Sequence, residues 1–173
     1  THSGSRAAKS VATRCSSTAP NDIAGILELQ AENVIDRGGL LSVAFSRDFF
    51  EKAITEMPVI VGRRDSCVIG YVVSSPLAAH AHVPIVGAML CAYRGGADAY
   101  LYGPICVAQN ERGRSLATRL FAALRTQLPG REGILFIRRD NASSLRAHAK
   151  MGLREVAEFT YAGAAHAVLS YSG

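Results

Sequence analysis

Two arginines flank a glycine in the stretch GPICVAQNERGRSLATRLFAAL, residues 103–124, where an apolar run gives way to a helical pattern. A turn leading from a strand into a helix leaves the first helical N–H groups without partners and places the positive end of the helix dipole there. Phosphate oxygens are natural ligands for such a turn. Arg112 and Arg114 add formal charge, while Gly113 lets the backbone approach an anion with no Cβ in the way. The spacing suits a pyrophosphate. It matches neither the GxxxxGK[ST] nucleotide loop nor the GxGxxG dinucleotide fingerprint. Taken alone, ERGRS could equally be a basic surface turn.

The charge distribution sharpens the question. Residues 112–154 carry ten Lys and Arg against two acids, whereas the rest of the chain has nine basic and twelve acidic residues, so the net charge of +5 is concentrated around the turn. A chain of 173 residues, 49% hydrophobic and 19% charged, is long enough for one filled core. Its longest near-apolar run, residues 84–93, is about half of the roughly 20 residues needed to span a membrane, and no membrane partner is expected. Nor is nucleic acid, because the basic residues come without interleaved aromatics, zinc spacing or a basic recognition helix. The cysteines at 15, 67, 91 and 106 form no CxxC pair, which suits reduced buried thiols, a cytoplasmic protein and no metal. Residues 1–10 are polar and have no apolar signal segment, and are expected to be a disordered arm or cloning remnant ahead of a single domain over residues 11–173.

Helix and strand signals alternate around the turn. Residues 11–17 resemble a short strand, and residues 20–35 a helix entered at Pro20 or Asn21 with Ile23, Ile26 and Leu27 inward and Gln30 and Val34 as further candidates for the core. After a break at Gly38 and Gly39, a helix over 46–57 begins at an N-cap, Ser46, and stops at Pro58. VIVGRR and CVIGYVVSS around RRDS read as a hairpin. The strand 99–108, the helix 114–128 with Leu116, Leu120 and Leu124 at spacing four, and the strand 133–139 follow. Asn141 caps a short helix that Gly152 ends, and two antiparallel strands close the chain.

With these elements in place, the residues resemble the GNAT superfamily of acetyl-CoA-dependent N-acetyltransferases. Its pyrophosphate signature corresponds to Arg112, Gly113, Arg114, Ser115, Leu116 and Ala117, with Ser115 where glycine is usual. A second block, NASSLRAHAKMGL, carries Asn141, Ser144, His148, Lys150 and Gly152 in the family's order. The resemblance covers residues 100–161 most clearly. It implies an α/β (α+β) fold with a mixed, mostly antiparallel twisted sheet, flanked by helices, whose central strands splay to hold the cofactor. Acetyl-CoA, as co-substrate, would lie along Ile105, Cys106 and Val107, with its pyrophosphate on the amides from Arg112 to Ala117 and with Asn141, Ser144 and His148 beside it. The resemblance implies transfer of an acetyl group to a primary amine, of a small molecule or peptide, by direct attack. Cys106 is then a wall residue and not a nucleophile. A catalytically inactive acyl-CoA sensor is the alternative, given Ser115 for glycine and His148 for the family's tyrosine.

Direct transfer requires an uncharged amine, a stabilised oxyanion and a protonated leaving thiolate. A lysine-like amine is only about 0.1% neutral near pH 7.4, a penalty of about 4 kcal/mol for a base or an apolar pocket to offset. Glu28, Glu32 and Asp36 recur every four residues, so Glu32 and Asp36 could face an amine, or simply form a solvated face. A backbone N–H at Val107 or Cys106 would serve the oxyanion. His148 is the candidate proton donor to the thiolate, with Tyr102 on the central strand as the fallback. His80 and His82 form an HxH pair expected to face solvent. Residues 84–94 predict an extra helix between Pro84 and Gly95. Its apolar face needs cover from the acceptor, the domain or a second copy in a homodimer. Met89 and Tyr93 are expected to line the acceptor pocket.

Overall fold

The computed structural model describes residues 11–34, 37, 41 and 43–173. The expected N-terminal arm, the Gly38–Gly39 break and Asp36 lie outside the described residues. Seven strands form one sheet: β1 (Thr13–Ser17), β2 (Val59–Arg64), β3 (Cys67–Pro76), β4 (Tyr100–Val107), β5 (Glu132–Arg138), β6 (Arg154–Tyr161) and β7 (Ala164–Ser172). Their order is β1-β2-β3-β4-β5-β7-β6. Every neighbouring pair is antiparallel except β4 and β5, which are parallel and joined only through Tyr100↔Gly133 and Leu101↔Ile134. Beyond Leu101 the two central strands diverge, as the mixed, splayed-sheet expectation requires.

Alternation along the strands decides which helix covers which face. On one side, Leu116, Leu120 and Leu124 of α5 (Leu116–Gln127) pack with Ile60, Val72, Leu135 and Leu169. Gly70 brings this helix close: a Cβ there would stand 3.0 Å from Leu116, 3.1 Å from Leu120 and 3.1 Å from the Cys106 carbonyl. A side chain at Gly70 would press on the Leu116 and Leu120 methyls and on the β4 backbone.

On the opposite face, α1 (Ile23–Asn33) and α2 (Arg47–Glu56) bury Ile23, Ile26, Leu29 and Phe50 against Val59, Val61, Tyr71 and Val73. Leu29 joins Ile23 and Ile26 in the buried stripe of α1, while Leu27 at its border is half-buried. Ser46 caps α2 as expected, its Oγ accepting from the Phe49 N–H at 3.2 Å.

The segment between β3 and β4 forms a single turn, α3 (Leu77–His80), and the expected extra helix, α4 (Pro84–Ala92). Met89 is fully buried with Val86, Ala99, Ile134, Phe159 and Val168, and the Tyr93 hydroxyl donates to Glu132 Oε1 at 2.6 Å. The sheet itself covers the apolar face of α4. This corrects the expectation that Met89 lines an acceptor pocket: it is used up in holding α4 on the sheet, while Tyr93 is half-buried at its edge.

The four cysteines are free, but only Cys106 is buried; Cys67 and Cys91 are exposed and Cys15 is half-buried, which corrects the expectation of buried thiols. Both exposed cysteines lie near element ends, at the start of β3 and in the last turn of α4, where little packs over them. Among the described residues no helix is long and apolar enough to cross a membrane, and no group of three His, Cys, Asp or Glu side chains could hold a metal.

Candidate active site

The divergence of β4 from β5 leaves one edge of β4 unpaired from Tyr102 to Val107, roughly 17 Å at ordinary strand rise. The Ala108 N–H donates to the Ile69 carbonyl at 2.9 Å, and the register pairs Tyr71 with Cys106. Alternation of the ladder then turns the amides of Ile105 and Val107 away from β3, toward the open edge, and that of Cys106 toward β3. Of the two amides considered for the oxyanion, only that of Val107 faces the opening.

A groove of about 520 Å³ runs along this edge, bounded by β4, by the turn before α5 and by α6 (Ala142–Lys150). Of the expected cofactor residues, Ile105, Cys106 and Val107 line it, followed by Arg112, Gly113, Ser115, Leu116 and Ala117, and on the far wall Asn141, Ser144 and His148. Arg114 does not. Its exposed side chain turns back toward the Glu111 carboxylate, 4.0 Å away.

The turn is shaped by two left-handed residues, Gly113 with φ +75° and Ser115 with φ +63°. A positive φ explains why glycine suits position 115, and serine there carries strain on the order of 1 kcal/mol. The first bond of α5 runs from Arg119 N to Ser115 O at 3.1 Å, so the amides of Leu116, Ala117 and Thr118 precede the helical ladder and lie at the groove. Glu111 fastens the turn from beneath. It is buried and paired by both oxygens with Arg64, one bond measuring 2.8 Å, so it is structural here and not a base. Arg112 Nη2 donates to Asn33 Oδ1 at 2.9 Å, which brings the end of α1 to the groove mouth.

Asn141 caps α6, its Oδ1 accepting from the Ser144 N–H at 3.2 Å. The cap sets the phase that turns Ser144, His148 and Met151 toward the groove. His148 is 4% exposed. Its Nδ1–H donates to the Ser144 carbonyl at 2.8 Å, and its Nε2 has no partner among the described residues. A carbonyl only accepts, so the contact assigns the proton to Nδ1 and leaves a lone pair on Nε2. Burial holds the imidazole below its ordinary pKa, with the Ser144 bond opposing. The resting imidazole therefore presents an acceptor where a donor was expected.

Tyr102 lies behind His148, ring centroids 5.6 Å apart and edge-on, and does not line the groove. Its hydroxyl is buried with no partner among the described residues, and burial pushes it far above the ordinary tyrosine range. This corrects its assignment as a fallback donor, because its ring is enclosed by Phe121, Tyr171 and His148. Cys106 is likewise held as a thiol, its pKa pushed up to about 12 by burial against the opposing pull of Arg112. Glu28 and Glu32 are exposed on α1, outside the groove lining. Of the histidine pair only His82 is exposed; His80 is half-buried with its ring 6.0 Å from that of Phe49, and burial lowers its pKa.

Free edge amides, a cationic amide cradle and a buried ring acceptor fit an extended ligand with a diphosphate at one end. The family model for the acetyltransferase (GNAT) family matches residues 28–153. The chain belongs to the GNAT family of acetyltransferases. The GNAT fold is also seen in its structural neighbours. The ribosomal-protein-S18-alanine N-acetyltransferase from Escherichia coli is similar with a TM-score of 0.66 and 10% identity, over 93% of this chain and 94% of that one. NAA60 of Arabidopsis thaliana, solved with a bisubstrate analogue, gives 0.66 and 14% over 93% and 98%. The protein yncA of Salmonella typhimurium, solved with its cofactor acetyl-CoA, gives 0.64 and 16% over 92% and 93%. No curated protein sequence matches the chain.

Asn33, Arg146, Lys150 and Met151 also line this GNAT groove, beyond the residues assigned to the site from sequence. The α6 residues had a signal: Ser144, His148 and Met151 repeat at spacings of four and three from the cap. Asn33 had none, since only the packing of α1 beside the turn brings it there.

Proposed function

We propose that this GNAT protein transfers an acetyl group from acetyl-CoA to a primary amine of a small molecule or peptide, by direct attack. The observation that carries this reading is the unpaired β4 edge running into the cradle formed by Arg112, Gly113 and the first amides of α5. Bound acetyl-CoA would supply the activated acyl group as a thioester. Ile105 and Val107 would hold the pantetheine arm like an added strand, and the cradle would hold the pyrophosphate. Cys106, kept protonated by burial, would form wall and not acyl carrier, which suits direct transfer. Neighbours named for alanine N-acetylation and for a bisubstrate complex support amine transfer as the reaction class.

The test is a panel of primary amines and peptide N-termini with acetyl-CoA, reading free thiol and the acetylated product, alongside calorimetry of acetyl-CoA binding. Saturable binding with amine-dependent thiol release is expected. Binding without thiol release for any amine would leave a cofactor-binding module and reject the transferase reading.

A further inference from the structure

We infer that His148 carries the proton of acetyl transfer in both directions, taking it from the amine nitrogen at Nε2 and returning it to the sulfur; this rests on the transfer reading above. The first support is position. The β4–β5 pairing ends at Leu101↔Ile134, and Tyr102, over whose ring His148 packs, is the next residue. His148 therefore sits where the strands part, while the phosphate cradle lies past Val107 at the other end of the free edge. A ligand with its diphosphate in the cradle has its uncharged, reacting end directed to the closed end, beside His148.

The second support is the unpartnered Nε2. A buried nitrogen with no partner is costly unless a ligand or solvent completes it, and Ser144 already holds the opposite nitrogen. The ring is thus oriented, as catalytic imidazoles are, by a fixed acceptor on its far side.

The third is elimination among the described residues. The ionisable groups lining the groove are Cys106, Glu111, Arg112, Arg146, His148 and Lys150. Arg and Lys are cations without a lone pair to offer near neutrality. Glu111 is occupied by Arg64, and Cys106 is a thiol. Only His148 offers a free lone pair. Tyr102, packed against its ring from β4, stays protonated, while Arg146 and Lys150 on the same helix add positive charge to the groove. Burial disfavours the imidazolium, with the Ser144 bond opposing, so the protonated ring gives its proton up readily.

The step balances. As the N–C bond forms, the carbonyl π pair moves to oxygen and Nε2 takes the proton shed by nitrogen. As the C–S bond breaks, the carbonyl reforms and the Nε2 proton passes to sulfur. The products are an amide and a thiol, and His148 ends neutral. One side chain thereby serves as base and acid.

Nitrogen-15 NMR of the histidine side chains, assigned with His148→Phe, tests the resting state without turnover. The Nδ1–H tautomer with a pKa below 6.5 is expected. In the same protein, kcat should fall as pH drops through that pKa. His148→Phe should lower kcat by on the order of 10²-fold or more, with acetyl-CoA affinity within about twofold. His148→Gln, which keeps hydrogen bonding but cannot carry the proton, should be equally slow. An Nε2–H tautomer at neutral pH, or wild-type kcat in either folded variant, overturns the relay alone. A wild-type protein that binds acetyl-CoA yet acetylates no amine overturns the transfer reading and the relay with it.

Discussion

Arg112 Nη2 bonds Asn33 Oδ1 at 2.9 Å, and Asn33 in turn donates from Nδ2 to the Leu29 carbonyl at 2.8 Å. The last residue of α1 thereby aims a guanidinium that belongs to the turn after β4. Two segments 79 residues apart in sequence meet at the mouth of one groove.

Arg112→Ala should weaken acetyl-CoA binding by about tenfold, and by more at low salt, because a charge-assisted contact to phosphate is lost. Asn33→Ala should cost about two- to threefold by leaving the guanidinium unaimed. The double variant should bind no worse than Arg112→Ala alone, since Asn33 acts through Arg112. Calorimetry at two salt concentrations checks all three.

Cys106→Ala should keep acetyl transfer within about threefold, and intact-protein mass spectrometry of the wild type mixed with acetyl-CoA should detect no acetylated enzyme. A thiol with its pKa at about 12 has almost no thiolate near neutrality to attack with.

Met89→Ala should destabilise the fold by about 3 kcal/mol, because it removes a fully buried side chain from the contact of α4 with the sheet. Acetyl-CoA affinity and the amine KM should stay unchanged. Urea unfolding and steady-state kinetics on the same preparation separate this outcome from a pocket-lining role, which would raise KM.

Asp22 should make the fold acid-sensitive. The Arg63 guanidinium, bonded to it at 2.8 Å through Nε, and then the Ala19 N–H at 2.7 Å, hold its carboxyl below the ordinary 3.8. A depressed folded-state pKa contributes stability that is complete above the unfolded value and is lost as pH falls through the folded one. Between about pH 4 and 2 the urea midpoint of the wild type should fall more steeply than that of Arg63→Gln, in which the shift is largely removed.

Local chemistry made much of this protein legible in its sequence. The Asn141 and Ser46 caps, the Leu116–Leu120–Leu124 stripe and the Arg112–Ala117 turn are patterns within one turn or one helix, where spacing alone sets which side chains share a face. They were enough to place the turn between β4 and α5 and the GNAT family. What lay beyond them depends on partners distant in sequence. Met89 looked like pocket lining because an apolar helix face says only that something covers it; the sheet does, through Ile134 and Val168. Tyr102 looked available because a strand position does not reveal that Phe121 and Tyr171 close over it. The protonation of His148 was set by the Ser144 carbonyl and by burial, and a sequence carries a side chain's pKa only as an unperturbed value. Asn33 entered the site solely because α1 packs beside a turn 79 residues later, a proximity that exists only once the sheet has formed.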